Sequence, residues 1–264
     1  MRTAAGRAPV YVETSVRCAG PADAERLWFL TQDPQVHPRW DLRFSSITPT
    51  SVDGRGNRHF TYALALPFPR LPLRTVTGTG TSVGHRRDGS GRGTSALRFR
   101  TDDRLSPLGE GSGYWRYVPV GDGRMRFLTG YDYEPGWGRV GALLDPWLTR
   151  PAVGWATAWS FDRLRLWVDE GLDPALARDR ALAWTALRAL GVAGAAALAR
   201  RSSWAAVGVA GLALLAPVPP SVPSGRRCLR RPPDPRAGRA PASLAGLPEP
   251  APAPAGGGRA GGPA

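Results

Sequence analysis

GYDYEPGWGRVGALLDPWLTRPAVGWATAWSFDRLRLW, residues 130–167, begins as a strand and ends as a helix. Just before and into it, Met125, Phe127, Thr129, Tyr131 and Tyr133 fall on one side of the chain. Arg126, Leu128, Gly130, Asp132 and Glu134 fall on the other. That two-residue period is a half-buried strand over 124–134. After Gly136 the spacing turns helical: Trp137 to Trp147 is a short apolar segment broken by Pro146 and Pro151. Val153 to Glu170 then runs without a break, carrying Trp155, Trp159, Leu164, Leu166 and Trp167 at helical spacings. Gly171 follows where a helix stop belongs.

Upstream, six short alternating runs at 44–52, 58–67, 74–84, 94–102, 112–120 and 124–134 are separated by hairpin chemistry such as Asp53-Gly54, Asp88-Gly89 and Gly121-Asp122-Gly123. With no helix between them they predict an antiparallel meander, not βαβ units. The opening VYVETSVRC, 10–18, alternates and reads as a further strand. Pro21 starts a helix striped by Ala24, Leu27, Trp28 and Leu30, and Gln35 to Trp40 reads as a second short helix or turn. The expected class is α+β. Seven antiparallel strands need a cover for their concave face, and the Trp-rich helix is the only candidate within 1–170. A curved sheet closing over one helix leaves a cavity where the strands diverge.

The order β-α-α-β6-α resembles the START-like, or Bet v 1-like, superfamily, whose bacterial members include polyketide cyclase/dehydrase-like and lipid-transport proteins. VYVETSVRCAGPADAERLW, DPQVHPRWD at 33–41 and the 130–167 stretch carry the resemblance, over about 160 residues. It implies a helix-grip fold: a seven-stranded antiparallel sheet wrapped on a long C-terminal helix, around a hydrophobic ligand cavity. The superfamily spans carriers, sensors and enzymes, so the fold does not name the activity.

Strand alternation nominates the ligand-binding side chains. Tyr62 and Leu64 share a face with Phe60 and Leu66; Phe99 shares one with Leu97; Trp115 and Tyr117 lie opposite Tyr114, Arg116 and Val118. Phe127, Tyr131 and Tyr133 add a wall that is apolar with phenolic tips, and Trp155 and Trp159 face it from the helix. Tyr62, Tyr131 and Tyr133 would orient polar groups of a ligand. A rival enzymatic reading, a polyketide cyclase or dehydratase, would use those tyrosines with Arg98 or Arg116 to move protons. The one Gly-x-Ser-x-Gly match, Gly80 to Gly84, lies inside an alternating run and opens no helix, so it is no nucleophile elbow; His59 is expected to face solvent, and His37 and His85 fall at loop or strand-end positions. No histidine pair has metal spacing, so neither a metal nor a cofactor is expected. Val76 to Gly84, alternating Thr and Gly, leads into a polar turn and not a helix. It reads as a strand able to bend, not a phosphate loop.

The chain has 264 residues, with 33 Gly and 27 Pro, and all 35 of its basic residues are arginine. Residues 1–170 hold 23 Arg and 17 acids, and residues 171–264 hold 12 Arg and 4 acids, so the basic excess is denser in the second part. We read this as solvated charge on a biased composition, with no nucleic-acid partner. Two cysteines exclude a disulfide scaffold, and Cys228 lies beside four arginines, a setting that lowers a thiol pKa. Two apolar stretches, 181–199 and 203–218, flank Arg200-Arg201 and suggest a helical hairpin. Arg188 within the first and the tip arginines disfavour a full membrane crossing and favour an interfacial placement.

Three regions are therefore expected: a START-like ligand-binding domain over 1–171, an apolar hairpin with a basic flank over 172–231, and a disordered Pro/Gly/Ala-rich tail over 232–264, where 25 of 33 residues are of those types. The functional expectation is binding or transport of a hydrophobic small molecule, lipid or polyketide-like, with membrane contact through 181–231. A membrane-associated adaptor without a ligand is the other rival. Residues 1–9 lack an apolar h-region, which predicts a cytoplasmic protein at the inner face of the cell membrane.

Overall fold

A computed structural model of the protein describes residues 8–64, 75–86 and 91–252. The expectations for 65–67 (Leu66 included), for residue 74, for the Asp88-Gly89 turn, for most of the N-terminal stretch and for 253–264 lie outside the described residues.

Strand β1 (Val10–Arg17) is followed by helices α1 (Pro21–Gln32) and α2 (His37–Trp40). Six strands come next: β2 (Phe44–Val52), β3 (Arg58–Leu64), β4 (Val76–Arg86), β5 (Gly93–Arg100), β6 (Leu108–Val120) and β7 (Arg124–Pro135). All pair antiparallel in the order β1-β7-β6-β5-β4-β3-β2, so β1 closes back onto the last strand and the meander's first strand is the other edge. Helix α3 (Gly138–Leu144) and a π-helical stretch (Asp145–Thr149) lead into α4 (Arg150–Glu170), which ends on Gly171 at φ 66°, a left-handed stop. This is the helix-grip arrangement.

Alternation explains why α4 is gripped. Val12 and Val16 of β1 and Met125 and Phe127 of β7 point to the concave face, where Phe161 and Leu164 of α4 meet them, all fully buried. Phe127 stacks on Phe161 at 4.7 Å between ring centroids. Tyr131 reaches across the layer and its hydroxyl lies 2.8 Å from Thr157 Oγ1. The π-helical stretch has its own lock: buried Asp145 accepts from Tyr133 Oη at 2.7 Å and from Arg150 Nε at 3.0 Å.

The tail departs from expectation. Residues 232–252 are not disordered but lie across the convex face of the sheet. The chain passes α4, where Cys228 donates to the Ala158 carbonyl, and turns round the exposed edge of β1. There the backbones of Leu229 and Glu13 exchange two hydrogen bonds of 2.9 Å, capping an edge that would otherwise offer free donors and acceptors. Tyr114 Oη then donates to the Ala237 carbonyl at 2.9 Å, and Leu244 and Leu247, around helix α7 (Ala242–Ala245), bury against Ala96. Composition suggested disorder because Pro, Gly and Ala have little surface to bury. Here the outward residues Tyr11, Tyr114, Leu128 and Ala96 supply that surface from the sheet side.

Between α4 and this strap, helices α5 (Pro174–Leu198) and α6 (Ser203–Leu215) pair as a hairpin with Arg200 and Arg201 at its turn. Gly191 meets Ala213 closely, so a Cβ there would lie 2.8 Å from the alanine methyl. Arg188 is not idle in its apolar helix. It donates to the carbonyls of Ala213, at 2.7 Å, and Leu214, satisfying acceptors left free at the end of α6. Leu187, Leu190, Trp204, Leu212 and Leu215 remain exposed on the pair.

Candidate functional site

The concave face is not filled along its length. Toward β2 and β3 the sheet leaves α4, and a cavity of about 800 Å³ opens to solvent there. Its walls come from β2–β7, from the first two turns of α4 and from α1 and α2. The hollow has a local cause in β4. Paired with β3, Gly78 sits opposite Tyr62 and Gly80 opposite Phe60. A Cβ at either glycine would come within 2.4 Å of the Tyr62 ring or 2.3 Å of the Phe60 ring. Gly111 stands in the same relation to Phe99, with a Cβ 2.2 Å from that ring. Three aromatic rings thus lie down on glycine backbone instead of standing up into the space.

The nominated residues divide into two groups. Tyr62, Leu64, Phe99, Trp115, Tyr131 and Trp155 line the cavity, with Trp155 half-exposed (49%) at the rim. The other four do not line it. Phe127 is consumed by its stack on Phe161. Tyr117 is tied under α1, its hydroxyl 2.6 Å from Thr31 Oγ1 and 3.0 Å from Gln32 Nε2. Tyr133 belongs to the Asp145 lock; burial first, then that carboxylate, pushes its hydroxyl pKa upward. Trp159, on the side of α4 turned from the cavity, carries the Arg163 guanidinium over its ring at 5.0 Å. The arginines considered for proton transfer are also misplaced for it. Arg116 binds the Arg236 and Arg239 carbonyls of the strap, and Arg98 approaches Glu249, both on the convex face. His59 is half-buried at the cavity rim, 3.1 Å from Thr81 Oγ1, and does not simply face solvent.

The polar end of the cavity lies where α2 meets β2. Asp41, with no accessible surface, accepts from Arg43 Nε at 2.9 Å and Nη2 at 2.7 Å, and lies 2.9 Å from His37 Nε2. Burial alone would raise the Asp41 carboxyl, but Arg43 and His37 outweigh it and hold it well below the usual carboxylate range. Behind this cluster Arg163 clamps the end of α2, donating to the carbonyls of Arg39, Trp40 and Pro174 at 2.8–3.1 Å. Burial lowers its own pKa to about 10. The His37 ring stacks on Trp40 at 4.9 Å. Arg43 lies 5.5 Å from the ring centroids of both Phe44 and Tyr131, which fix its guanidinium at the wall. Burial raises the Tyr131 hydroxyl pKa, so it keeps the proton that it donates to Thr157 Oγ1.

The sequence reading missed this cluster. DPQVHPRWDLR carries its members at close spacing, but nothing in that spacing says that the short helix turns His37 and Arg43 toward the sheet. The Cys228 thiol also differs from expectation: burial, and then the Asp162 carboxylate, push it up to about 12 and outweigh Arg165 and Arg230.

No protein-family model matches the chain. It is similar to a Bacillus subtilis protein named uncharacterized membrane protein YndG, with 42% identity over 166 residues, 63% of this chain and 59% of the other. The chain thus spans about three fifths of the length of that curated relative. Among solved structures it is similar to the Zhui aromatase/cyclase of Streptomyces (16% identity, 55% of this chain and 87% of that one, TM-score 0.37). A START superfamily protein of Mycobacterium smegmatis is similar at 14% identity, 55% and 93% coverage and a TM-score of 0.34.

Proposed function

We propose that this chain binds a hydrophobic small molecule, lipid or polyketide-like, in the cavity between its sheet and α4, and does so at a membrane surface. The observation that carries the reading is an open space of about 800 Å³ whose rings lie flat on glycine backbone. A cavity of that size suits one lipid-like or polycyclic guest. Transfer of apolar ligand surface from water contributes about 25 cal/mol per Å², less the cost of immobilising the guest. Residues 1–171 make the binding unit, and the hairpin within 172–231 brings it to lipid.

The hairpin's dimensions favour lying in the interface over crossing. Helix α5 has 25 residues and is the candidate span by length and composition. At 1.5 Å per residue it reaches about 37 Å, against about 20 Å for the 13 residues of α6 and a hydrocarbon core of about 30 Å. Only one helix could cross, and the tip arginines would be carried with it. Placed in the headgroup region, the exposed leucines and Trp204 enter the acyl boundary while the arginines meet anionic lipid, as on the arginine-favouring cytoplasmic face.

Titration with a fluorescent fatty-acyl probe tests the cavity. The wild type should saturate at one probe per chain, and Ala156→Phe, which fills the space from α4, should weaken binding at least tenfold. Equal binding by both proteins, or none by either, contradicts the reading.

His37 bonded to Asp41 at the cavity wall supports a second reading, a cyclase- or dehydratase-type enzyme in which His37 moves a proton. On that reading His37→Gln abolishes turnover of a poly-β-ketone substrate while the acyl probe still binds.

A further inference from the structure

The cavity's charge is one-sided. Among its described lining residues the charged side chains are Arg43 and Arg58, with no aspartate or glutamate. Arg58 is exposed at the start of β3, beside the end of β2, whereas Arg43 is held at the opposite end of β2, against the polar cluster. The Arg43 side chain is 19% accessible, and it lines the cavity. Its counter-ion lies behind it: Asp41 takes the Nε and Nη2 atoms and has no accessible surface of its own. The Tyr131 hydroxyl lies within reach of the same guanidinium, and among the described residues Asp41 is the only carboxylate bonded to it. Asp41 also faces His37 and Arg163, and Arg163 is within the field of Asp173 and Arg178 as well, so two carboxylates serve three guanidiniums at this end. In a low-dielectric wall that imbalance leaves an uncompensated positive potential, which water screens poorly. The phenolic hydroxyl of Tyr131, on the same wall, gives its proton to Thr157 Oγ1, whose own goes to the Val153 carbonyl, so the charged donor on this wall is Arg43.

We infer that the cavity selects an amphiphile with an anionic oxygen head, carboxylate or phosphate, which Arg43 binds through the edge that Asp41 leaves, while the apolar chain runs over Tyr62 and Phe99. Charge-assisted hydrogen bonds of this kind are stronger than neutral ones and are strengthened by exclusion of water. A guest with an ammonium head would place like charge against Arg43. The inference rests on the apolar-cavity reading and adds a choice of head group to it.

The experiment displaces a neutral fluorescent probe, N-phenylnaphthylamine, with four single-chain competitors: palmitate, lysophosphatidate, hexadecanol and hexadecylamine. Palmitate or lysophosphatidate, or both, should compete at least tenfold better than hexadecanol, with hexadecylamine weakest; the comparison of the two acids tells carboxylate from phosphate. The double variant Asp41→Asn/Arg43→Gln removes both charges of the pair. In it palmitate and lysophosphatidate should compete no better than hexadecanol does in the same variant, whereas Arg58→Gln should keep the preference. Equal competition by acid, alcohol and amine in the wild type overturns the head-group inference and leaves the apolar cavity standing. So does an acid preference that survives the double variant or disappears in Arg58→Gln. Failure of the neutral probe itself to bind overturns both. Should the double variant not fold, the wild-type series and Arg58→Gln still decide.

Discussion

Asp41 is the side chain on which the polar end of the cavity depends. Removing its charge leaves Arg43 without its counter-ion in the interior and Arg163 with Asp173 alone, so Asp41→Asn should destabilise the protein by about 3–5 kcal/mol in urea unfolding. The pH dependence follows from the same contacts. The folded-state pKa of Asp41 is depressed, so its contribution is fully present above the unfolded carboxylate value of about 3.9 and fades as pH falls below that toward the folded value. Unfolding free energies of wild type measured from neutrality downward should drop in that acid range, and Asp41→Asn should show a shallower drop. Cys228 gives a second residue-level expectation. Its thiol is buried and raised to about 12, so iodoacetamide should label it only after unfolding. Labelling in the native protein would mean that the segment around it opens. At this scale the sequence was least informative. Alternation placed Tyr62, Phe99, Trp115 and Tyr131 on the concave face correctly, because a strand's period is geometric. It could not separate Tyr131, at the cavity wall, from Tyr133 two residues on, because the Asp145 that claims Tyr133 arrives through a π-helical turn with no sequence signature.

Among the elements, β4 sets the size of the hollow. Its alternating glycines read in the sequence as a strand that bends; their second effect, seating the rings of β3, needs the register of the two strands. Gly80→Ala should push the Phe60 ring off the sheet and into the cavity, since the ring tip can swing and the backbone cannot. Acyl-probe affinity should fall several-fold with little change in melting temperature; unchanged affinity would show that the ring moves elsewhere. The C-terminal strap is the element that composition misjudged. Leu244→Ala or Leu247→Ala should each cost about 2 kcal/mol, the lower end for a buried leucine, because each covers Ala96 on one side only. The hairpin was legible as two apolar runs about an arginine pair, and Arg188 reads as a blemish until α6 is folded back beside it. Trp204 is 87% exposed, so Trp204→Ala with Leu215→Ala should leave the melting temperature unchanged while cutting flotation with phosphatidylglycerol vesicles several-fold. Undiminished flotation would remove the hairpin from any membrane role.

For the molecule as a whole, element order, the antiparallel meander and the gripping helix follow from periods of two and 3.6 residues, which is why they were legible from the chain. The open volume does not follow from any period. It depends on where three rings recline and on a helix that stands off the sheet over its first turns and packs on it further along, both consequences of packing among residues far apart in sequence. The molecule then carries two apolar surfaces: an inner one with an arginine at its end, and an outer one on the hairpin with arginines at its tip. The most direct test is native mass spectrometry of the full chain purified without detergent, paired with Ala156→Phe. The account predicts a wild-type population one small hydrophobic molecule heavier than the bare chain, with that excess missing from the variant. A wild type that flies only at the bare mass and gains none when incubated with palmitate would contradict it.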